Sequence, residues 1–568
     1  MINLKWLTHE LETALGGAYN SKNIYSNQAL LELDQRSEFP NAIVNKLNEW
    51  GLPNYYIPKE HGGRLEGYDE LFHLLRLISR RDLTTAIGHG KTMLGSISIW
   101  IAGSEFQCKE LASSLQSYEA ISLALTEQEN GSDISSTNTV AHKSNNKFIL
   151  NGEKYLINNA RRSKTLSVFA RTNNENNSRD FSIFWVDKST LNEGQFSYLP
   201  KIKTHGIRGA DISGIRFNNA ILSKDQLVGL EGHGLEIILC GFQITRTLCC
   251  ALSSGAGDHA LRMAWQFANQ RHIYHSTLAQ LPLVKRRLEH AAIDLIISEC
   301  VSLFSSRAIN LLPQQMSIIS AAAKAFVPPA IESMTNYLVD VLGARSYLER
   351  LDDYGDFSKL QRDCRLISLF DGNTTINLQM LIVQLPAIAK KRFKCAEDVL
   401  LNKEMEYLFS LKEDLPTLDS KLLKLSSKGN DFIVSGLLNA KSNINILKEI
   451  DDKIRFRINN KIEQLIIKLE EVDDYFLNHA LSKDIPVSSF KKAEEYTKIF
   501  AASCCIHAFI YSSHYMHKVV RNGNILLNCL ERLLGKTLSS TQDLESLVNS
   551  AVDNNLLISK FEYSQINN

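Results

Sequence analysis

Apolar residues recur at helical spacing through the first 120 residues or so. Leu30, Leu31 and Leu33 mark one such stretch, and Leu71, Leu74, Leu75, Leu77 and Ile78 mark another. Between them GLPNYYIPKEHGG, residues 51–63, carries two prolines and three glycines and predicts a structured loop. Thr92–Ile101 and Glu105–Leu115 predict further helices, the first weakened by Gly95. Near residue 120 the period shortens. ISLALTE has the length of a strand, and KFILNGEKYLINN predicts two strands joined by a hairpin at Asn151-Gly152. LSVFAR, FSIFWVD and GIRFNNAIL predict more strands, giving a small barrel or sandwich. After EGHGLEI the helical period returns, over about 235–269, 280–308, 316–342 and 374–388. Pro328-Pro329 should kink or end the third of these, because proline lacks the N–H and its ring crowds the preceding turn.

From about residue 393 the composition changes. KKRFKCAEDVLLNKEMEY predicts a charged linker that enters a helix. Ile454, Ile458, Ile462, Leu465, Ile466 and Leu469 share one helical face, with Lys and Glu opposite. Phe490 to about Leu533 predicts a second helical segment. The expected organisation is an N-terminal helical domain (1–120), a central β domain (121–228), a C-terminal helical bundle (229–392) and a helical extension (393–568). Helices followed by sheet followed by helices make the fold class α+β.

At 568 residues the chain is too long for one core. A net charge of +1 gives it no overall field for nucleic acid or an anionic membrane, so no nucleic-acid partner is expected. Ten cysteines without a repeating spacing fit free thiols in a reducing cytosol, hence a cytoplasmic location. The opening MINLKWLTHELE lacks the charged start and apolar core of a signal peptide, and no apolar run approaches a membrane span.

Glycine fingerprints for dinucleotides, P-loop phosphates and the α/β-hydrolase nucleophile do not occur, which excludes those classes. Other stretches carry chemistry ambiguously. Asp371-Gly372-Asn373-Thr374 is an ordinary turn whose Thr374 caps the next helix, or a turn that presents a carboxylate. LALTEQENGSDISSTN, residues 123–138, is a polar loop closing the β region, or a strand end that offers the Thr126 and Ser132 hydroxyls to a site. Arg208-Gly209-Ala210-Asp211 reads as a turn. Arg246, among Ile244, Leu248 and Leu252, calls for a buried partner or a ligand. His507, His514 and His517 share a helical face beside Cys504-Cys505, but none is at i, i+4 spacing and no acid is near, so no metal is expected.

Taken in order, these segments resemble the acyl-CoA dehydrogenase family over about residues 40–388. GLPNYYIPKEHGG resembles its early G-[IL]-P-x-E-x-G-G loop, and LALTEQENGSD its L-T-E-P-x-A-G-S-D. NGEKYLINNA resembles N-G-x-K-x-[WY]-I-T-N-[AG], and RGADISGIRFNNAILSKDQLVG the strand pair before the C-terminal helices. KLQRDCRLISLFDGNTTINLQ resembles the R-D-x-x-x-x-x-I-x-E-G-T segment that carries the base.

The resemblance implies a helical, β and four-helix domain order, FAD between domains and across a subunit interface, and α,β-desaturation of an acyl thioester. A carboxylate takes the α-proton and flavin N5 the β-hydride, and electrons pass to an electron-transfer flavoprotein. It implies Asp371, in place of Glu, as that base, with its backbone N–H on the thioester carbonyl. Burial beside Leu369 and Phe370 should raise its pKa. Thr245 stands where some branches place the base and cannot serve. The cofactor falls to Leu125, Thr126, Leu156, Asn158, Arg271, Gly343, Asn373 and Thr375, with Arg271 reaching the FAD of the neighbouring subunit. The substrate falls to Ser132, Arg246 and Gly372. Leu156 replaces an aromatic and Asn158 a Thr. DVLGARS, with Asp340, Gly343 and Ala344, replaces the family's Q-x-x-G-G turn, with Arg345 as a compensating charge, and Pro282 replaces a Gln. The substrate is an acyl-CoA or acyl-carrier protein. The extension is similar in length and helicity to that of very-long-chain acyl-CoA dehydrogenases. That implies a homodimer, with the extension packed on the body and any membrane contact confined to its amphipathic helix. The alternatives are a flavin oxidase of the same fold and a weakly catalytic scaffold or assembly protein.

Overall fold

The computed structural model describes residues 2–349, 355–392, 399–411, 414–479, 484–539 and 541–562. Six helices come first: α1 (Ile2–Leu15), α2 (Asn27–Arg36), α3 (Asn41–Trp50), α4 (Tyr68–Arg81), α5 (Leu83–Ala102) and α6 (Glu105–Gln116). Their ends follow local capping chemistry. Asp82 accepts from the Thr85 N–H at the start of α5, and Ser104 and Gln107 form a reciprocal cap on α6. Residues 51–63 are a loop with two short 3-10 turns. Gly95 does not interrupt α5. A Cβ there would lie 2.7 Å from the Ile121 backbone, so the glycine lets the helix touch the first strand.

The β region is a single eight-stranded sheet. Its strands are β1 (Ile121–Ala124), β2 (Val140–Ser144), β3 (Lys147–Asn158), β4 (Thr165–Arg171), β5 (Phe181–Asp187), β6 (Phe196–Leu199), β7 (Ile212–Ser223) and β8 (Leu227–Val228). The order is β6-β7-β3-β2-β4-β5-β8, and β1 adds to β4 in parallel. The sheet is open at β6 and β8 and wraps an apolar core of its own around Phe148, Val168, Phe184 and Phe217. Phe148 of β3 meets Phe184 of β5 across that core, 5.0 Å between ring centres, so the sheet folds over on itself as the expected small barrel or sandwich would.

The hairpin at Asn151-Gly152 is not there. β3 runs unbroken through both residues, and the register against β7 slips between Leu150 and Gly152. Gly152, at φ +140°, sits in a bulge so close to Thr139 that a Cβ would meet its Cα at 2.6 Å. The tight turn lies earlier, at Asn145 (φ +54°), between β2 and β3.

The bundle comprises α7 (Gly234–Gln270), α8 (Pro282–Leu311), α9 (Met316–Leu342), α10 (Gly355–Cys364) and α11 (Thr374–Arg392). Pro328-Pro329 does not end α9, which continues to Leu342. Packing against α7 and α8 outweighs the lost hydrogen bonds. Pro282 opens α8, where a missing N–H costs nothing. Contrary to expectation, α7 has the length and apolarity of a membrane span. Yet 83% of its apolar window is buried inside the protein, as in a core helix.

Beyond lie α12 (Val399–Phe409), α13 (Phe432–Ser435), α14 (Ala440–Ile446), α15 (Asp452–Asn478), α16 (Val487–Ser512), α17 (Asn524–Leu533) and α18 (Gln542–Asp553). The linker expected at residues 393–398 lies outside the described residues. The second segment of the extension is two helices, α16 and α17, separated by short turns. His507 is therefore in α16 while His514 and His517 lie beyond its end, so the three do not share a helix. His507 is buried, with Nε2 3.1 Å from the Ile433 carbonyl.

The extension packs on the body, as α16 lies against α8, α9 and α11, and its apolar residues join the main core. At the seam the buried Arg392 donates from Nε to Asp473 (2.7 Å) and from Nη1 to Asp431 (2.8 Å). Tyr496 also donates to Asp431, at 2.9 Å. Further on, residues 556–562 thread back under α4, α7 and α8. The Ile558 N–H donates to Asp258 (2.6 Å), and Ser559 and Arg76 both donate to Glu299 (2.6 Å each).

Arg392→Met would leave Asp431 and Asp473 buried without their counter-charge. It is expected to destabilise the chain by about 3–5 kcal/mol, seen as a lower urea midpoint. A midpoint equal to that of the wild type would contradict this account of the seam.

Candidate active site

The loop after β1 is pinned by one ion pair. Glu127 is buried at the end of the strand and accepts from Lys154 Nζ (2.8 Å), the Asn138 N–H (2.7 Å) and both the hydroxyl (2.7 Å) and N–H (3.0 Å) of Thr139. The Thr137 hydroxyl also donates to it. Burial works against the carboxylate, but Lys154 and these donors outweigh it and hold the carboxyl down at about 2. Burial likewise draws the Lys154 ammonium down to about 8, against the pull of Glu127. Lys154 also donates to the Leu125 carbonyl (3.0 Å), and the Tyr155 N–H to the Thr126 carbonyl (2.8 Å). The backbone of Leu125 and Thr126 is therefore clamped to β3. Ser132 is exposed further along the loop, beside Asp133, which accepts from the Ser135 and Ser136 hydroxyls at 2.5 Å each.

Leu156 and Asn158 sit near the other end of β3. The register slips again between Lys154 and Ile157, and Leu156 takes φ +57° with its side chain 49% exposed. Its outward face comes from that bulge. Asn158 Oδ1 is buried without a hydrogen-bond partner. An acceptor left unpaired beside an exposed apolar side chain fits a flat heterocycle that brings its own N–H groups, as a flavin does.

Asp371 stands in the turn before α11, at φ +55°, followed by Gly372 at φ +86°. Asn373, not Thr374, caps the helix: its Oδ1 accepts from the Ile376 N–H at 2.9 Å. Asn377 Nδ2 ties the Gly372 and Asn373 carbonyls at 2.8 and 2.9 Å. Arg246, buried in α7, donates from Nε to the Asp371 carbonyl (2.9 Å) and from Nη1 to Met380 Sδ (2.8 Å). A Cβ on Gly372 would meet Arg246 Nη2 at 2.9 Å, so this position needs glycine. Arg246 thus holds the turn from beneath.

The Asp371 carboxylate is only 8% exposed and pairs with Lys91 Nζ at 2.7 Å. Lys91 also lies 3.8 Å from the centre of the Phe370 ring. Cys249 offers its thiol at 3.4 Å; burial and the neighbouring carboxylate push that thiol up to about 12, so it stays a neutral donor. The expected upward shift of Asp371 is reversed. Burial does push its carboxyl up, but Lys91, then Lys324 and Cys249, carry it below the ordinary value. The narrow pocket beside it has apolar walls that include Ile87 and Leu94 from α5 and Leu248 and Leu252 from α7.

Arg271 and Gly343 are exposed at the ends of α7 and α9, and neither lines this pocket. Asp340 does not confront an anion alone, because Arg287 pairs with it at 2.7 Å. Arg345 lies over the Phe267 ring, 5.6 Å from its centre. Thr375 is exposed. The chain thus brings Asp371, Gly372, Asn373 and Arg246 together, and Leu125 and Thr126 onto β3 beside Leu156 and Asn158. Sequence reasoning missed Lys91, Cys249, Lys324 and the Glu127–Lys154 pair. Lys91 and Lys324 were visible as lone charges inside apolar helices, the signal that had singled out Arg246.

Family models for the acyl-CoA dehydrogenase N-terminal, middle and C-terminal domains match residues 23–119, 122–220 and 232–385. The chain is 27% identical over 350 residues to the probable acyl-CoA dehydrogenase fadE25 of Mycobacterium leprae, covering 61% of this chain and 87% of that protein. Among solved structures, butyryl-CoA dehydrogenase from Megasphaera elsdenii superposes with a TM-score of 0.60 at 20% identity, over 66% of this chain and 95% of that one. The FAD complex of PigA also gives 0.60, at 18% identity, over 66% and 97%.

Two outcomes are expected. Glu127→Gln leaves Lys154 buried without its counter-ion and should lower the thermal midpoint by the equivalent of about 1–3 kcal/mol; an unchanged midpoint would remove the ion pair from this account. Asp371 titrates lower in the folded chain than in the unfolded one, so its stabilisation is complete above the unfolded value of about 3.9 and is lost as pH falls through the folded value. The stability difference between wild type and Lys91→Met should therefore be constant near neutrality and shrink in acid below about pH 4. A difference independent of pH, measured by urea unfolding, would refute the pairing.

Proposed function

Because the chain belongs to the acyl-CoA dehydrogenase family, and is an FAD-dependent oxidoreductase of acyl thioesters, we propose that Asp371 is the base that opens an α,β double bond in its substrate. One observation carries this reading. A carboxylate is held by its own carbonyl on Arg246 and presented to a pocket with apolar walls.

The side chain is one methylene shorter than the family's Glu. The left-handed turn at Asp371-Gly372 and the Arg246 contact fix where it begins, so the reach of the carboxylate is set by the backbone. The carboxylate is ionised at neutral pH and takes the α-proton. The Asp371 backbone N–H donates to the thioester carbonyl, where charge gathers as that proton leaves. The Cys249 thiol, neutral and 3.4 Å away, steadies the carboxylate without competing as a base. FAD, held by the residues named next, would supply the acceptor for the β-hydride.

Leu125 and Thr126, clamped by the Glu127 network, offer backbone and hydroxyl groups to the flavin, and Asn158 offers its unpaired amide oxygen. Ser132, in the exposed loop beyond them, serves the pantetheine arm. Exposure of Arg271 and Gly343 supports their serving the cofactor of a second subunit in a homodimer. The thioester carrier is CoA or an acyl-carrier protein, with an electron-transfer flavoprotein as acceptor. Nine of the ten cysteines lie among the described residues, all buried and none in a disulfide, which supports a reducing cytoplasmic setting.

Anaerobic titration of the FAD-loaded protein with acyl thioesters should bleach the flavin. Asp371→Asn should slow that bleaching by about 10²–10⁴-fold, the usual worth of a positioned base. Bleaching by the variant at the wild-type rate, or a purified protein that takes up no FAD, would overturn the proposal.

A further inference from the structure

The ion pair between Lys91 and Asp371 spans the acyl pocket. Both residues line it, and their charged atoms meet at 2.7 Å. Lys91 extends from α5, whose neighbouring pocket positions, Ile87 and Leu94, are apolar, and its side chain is 11% exposed. Lys91 holds the Oδ2 oxygen of Asp371, and a chain whose α-carbon comes to that oxygen displaces the ammonium. The ammonium then has to find another partner inside a desolvated, apolar cleft.

The surrounding charges sharpen the problem. Lys324 and Arg246 are also buried near Asp371. Their hydrogen bonds go to backbone and sulfur: Lys324 donates to the Ile367 carbonyl, and Arg246 to the Asp371 carbonyl and Met380. Among the described residues neither forms an ion pair with any other carboxylate. Three cations therefore surround one carboxylate, and that carboxylate is the group that becomes neutral on taking the α-proton. A plain hydrocarbon chain would press the displaced ammonium against methylenes and leave the cluster without an anion. A chain with its own carboxylate restores the balance.

We propose that Lys91 selects the substrate: the site takes acyl thioesters whose chain carries a second carboxylate, and Lys91 passes from Asp371 to that carboxylate as the chain enters. The inference rests on Asp371 being the base. If Lys91 only kept that base ionised, its removal would slow every substrate alike. As a selector, its removal changes the ratio between substrates.

The test uses the FAD-loaded full chain and matched pairs of thioesters: succinyl- with butanoyl-CoA, glutaryl- with pentanoyl-CoA, and adipoyl- with hexanoyl-CoA. Wild type should bleach faster with the carboxylated member of at least one pair, by about tenfold or more in kcat/KM. Lys91→Met should reverse that preference while still folding and holding FAD. Asp371→Asn should bleach with either member about 10²–10⁴-fold more slowly. Its Lys91 has lost the competing carboxylate, so it should bind the carboxylated thioester at least about threefold more tightly than wild type, read as a shift in the flavin spectrum. A wild type that prefers the plain chain in every pair, or a Lys91→Met variant that slows both members equally, overturns the selection. If wild type bleaches with none of the six, the binding preference of Asp371→Asn decides it. Bleaching by Asp371→Asn at the wild-type rate would instead overturn the base assignment and leave the selectivity result standing.

Discussion

A buried guanidinium under a left-handed turn is the contact on which this site depends. Arg246 belongs to α7, the longest helix of the core, and reaches the carbonyl of Asp371 and the sulfur of Met380 at the start of α11. Burial draws that guanidinium down to about 10 against the pull of the nearby carboxylate. Because the contact is to backbone, the position of the Asp371 carboxylate does not rely on the longer side chain that a glutamate would supply. The glycine that follows is there because Arg246 leaves no room for a Cβ.

The second anchor is the Glu127–Lys154 pair in the β domain. It ties a loop rich in small polar residues to β3 through the carbonyl of Leu125 and the strand hydrogen bond at Thr126. One anchor thus sits on a helix and the other on a sheet, and in each a desolvated cation grips a backbone carbonyl. Leu156, Asn158 and Asp371, which depart from the motifs the sequence resembles, sit within that frame.

The order of helices, sheet and helices was legible because hydrophobic period is a local property. The errors came where one local rule had two structural solutions. Asn151-Gly152 meets the demands of a hairpin, yet a positive φ is equally what a bulge needs, and pairing with β7 decided the matter. Pro328-Pro329 ought to stop an isolated helix, but α9 is held by its neighbours on both sides. The proton affinity of Asp371 went the wrong way for a related reason. Burial was foreseeable from Leu369 and Phe370, whereas the cation that outweighs it comes from residue 91 on another helix. Contacts between residues distant in sequence leave no periodic trace in a single chain.

The segment 556–562 bears on how such a chain comes to fold. Glu299 on α8 and Asp258 on α7 lie in the middle of the bundle, and both accept bonds from this late stretch of chain. Arg76 and Arg262, within the body, already face these acids as counter-charges, so the late segment adds the remaining donors rather than the first ones. Those last two bonds cannot form until residues 558 and 559 have been made.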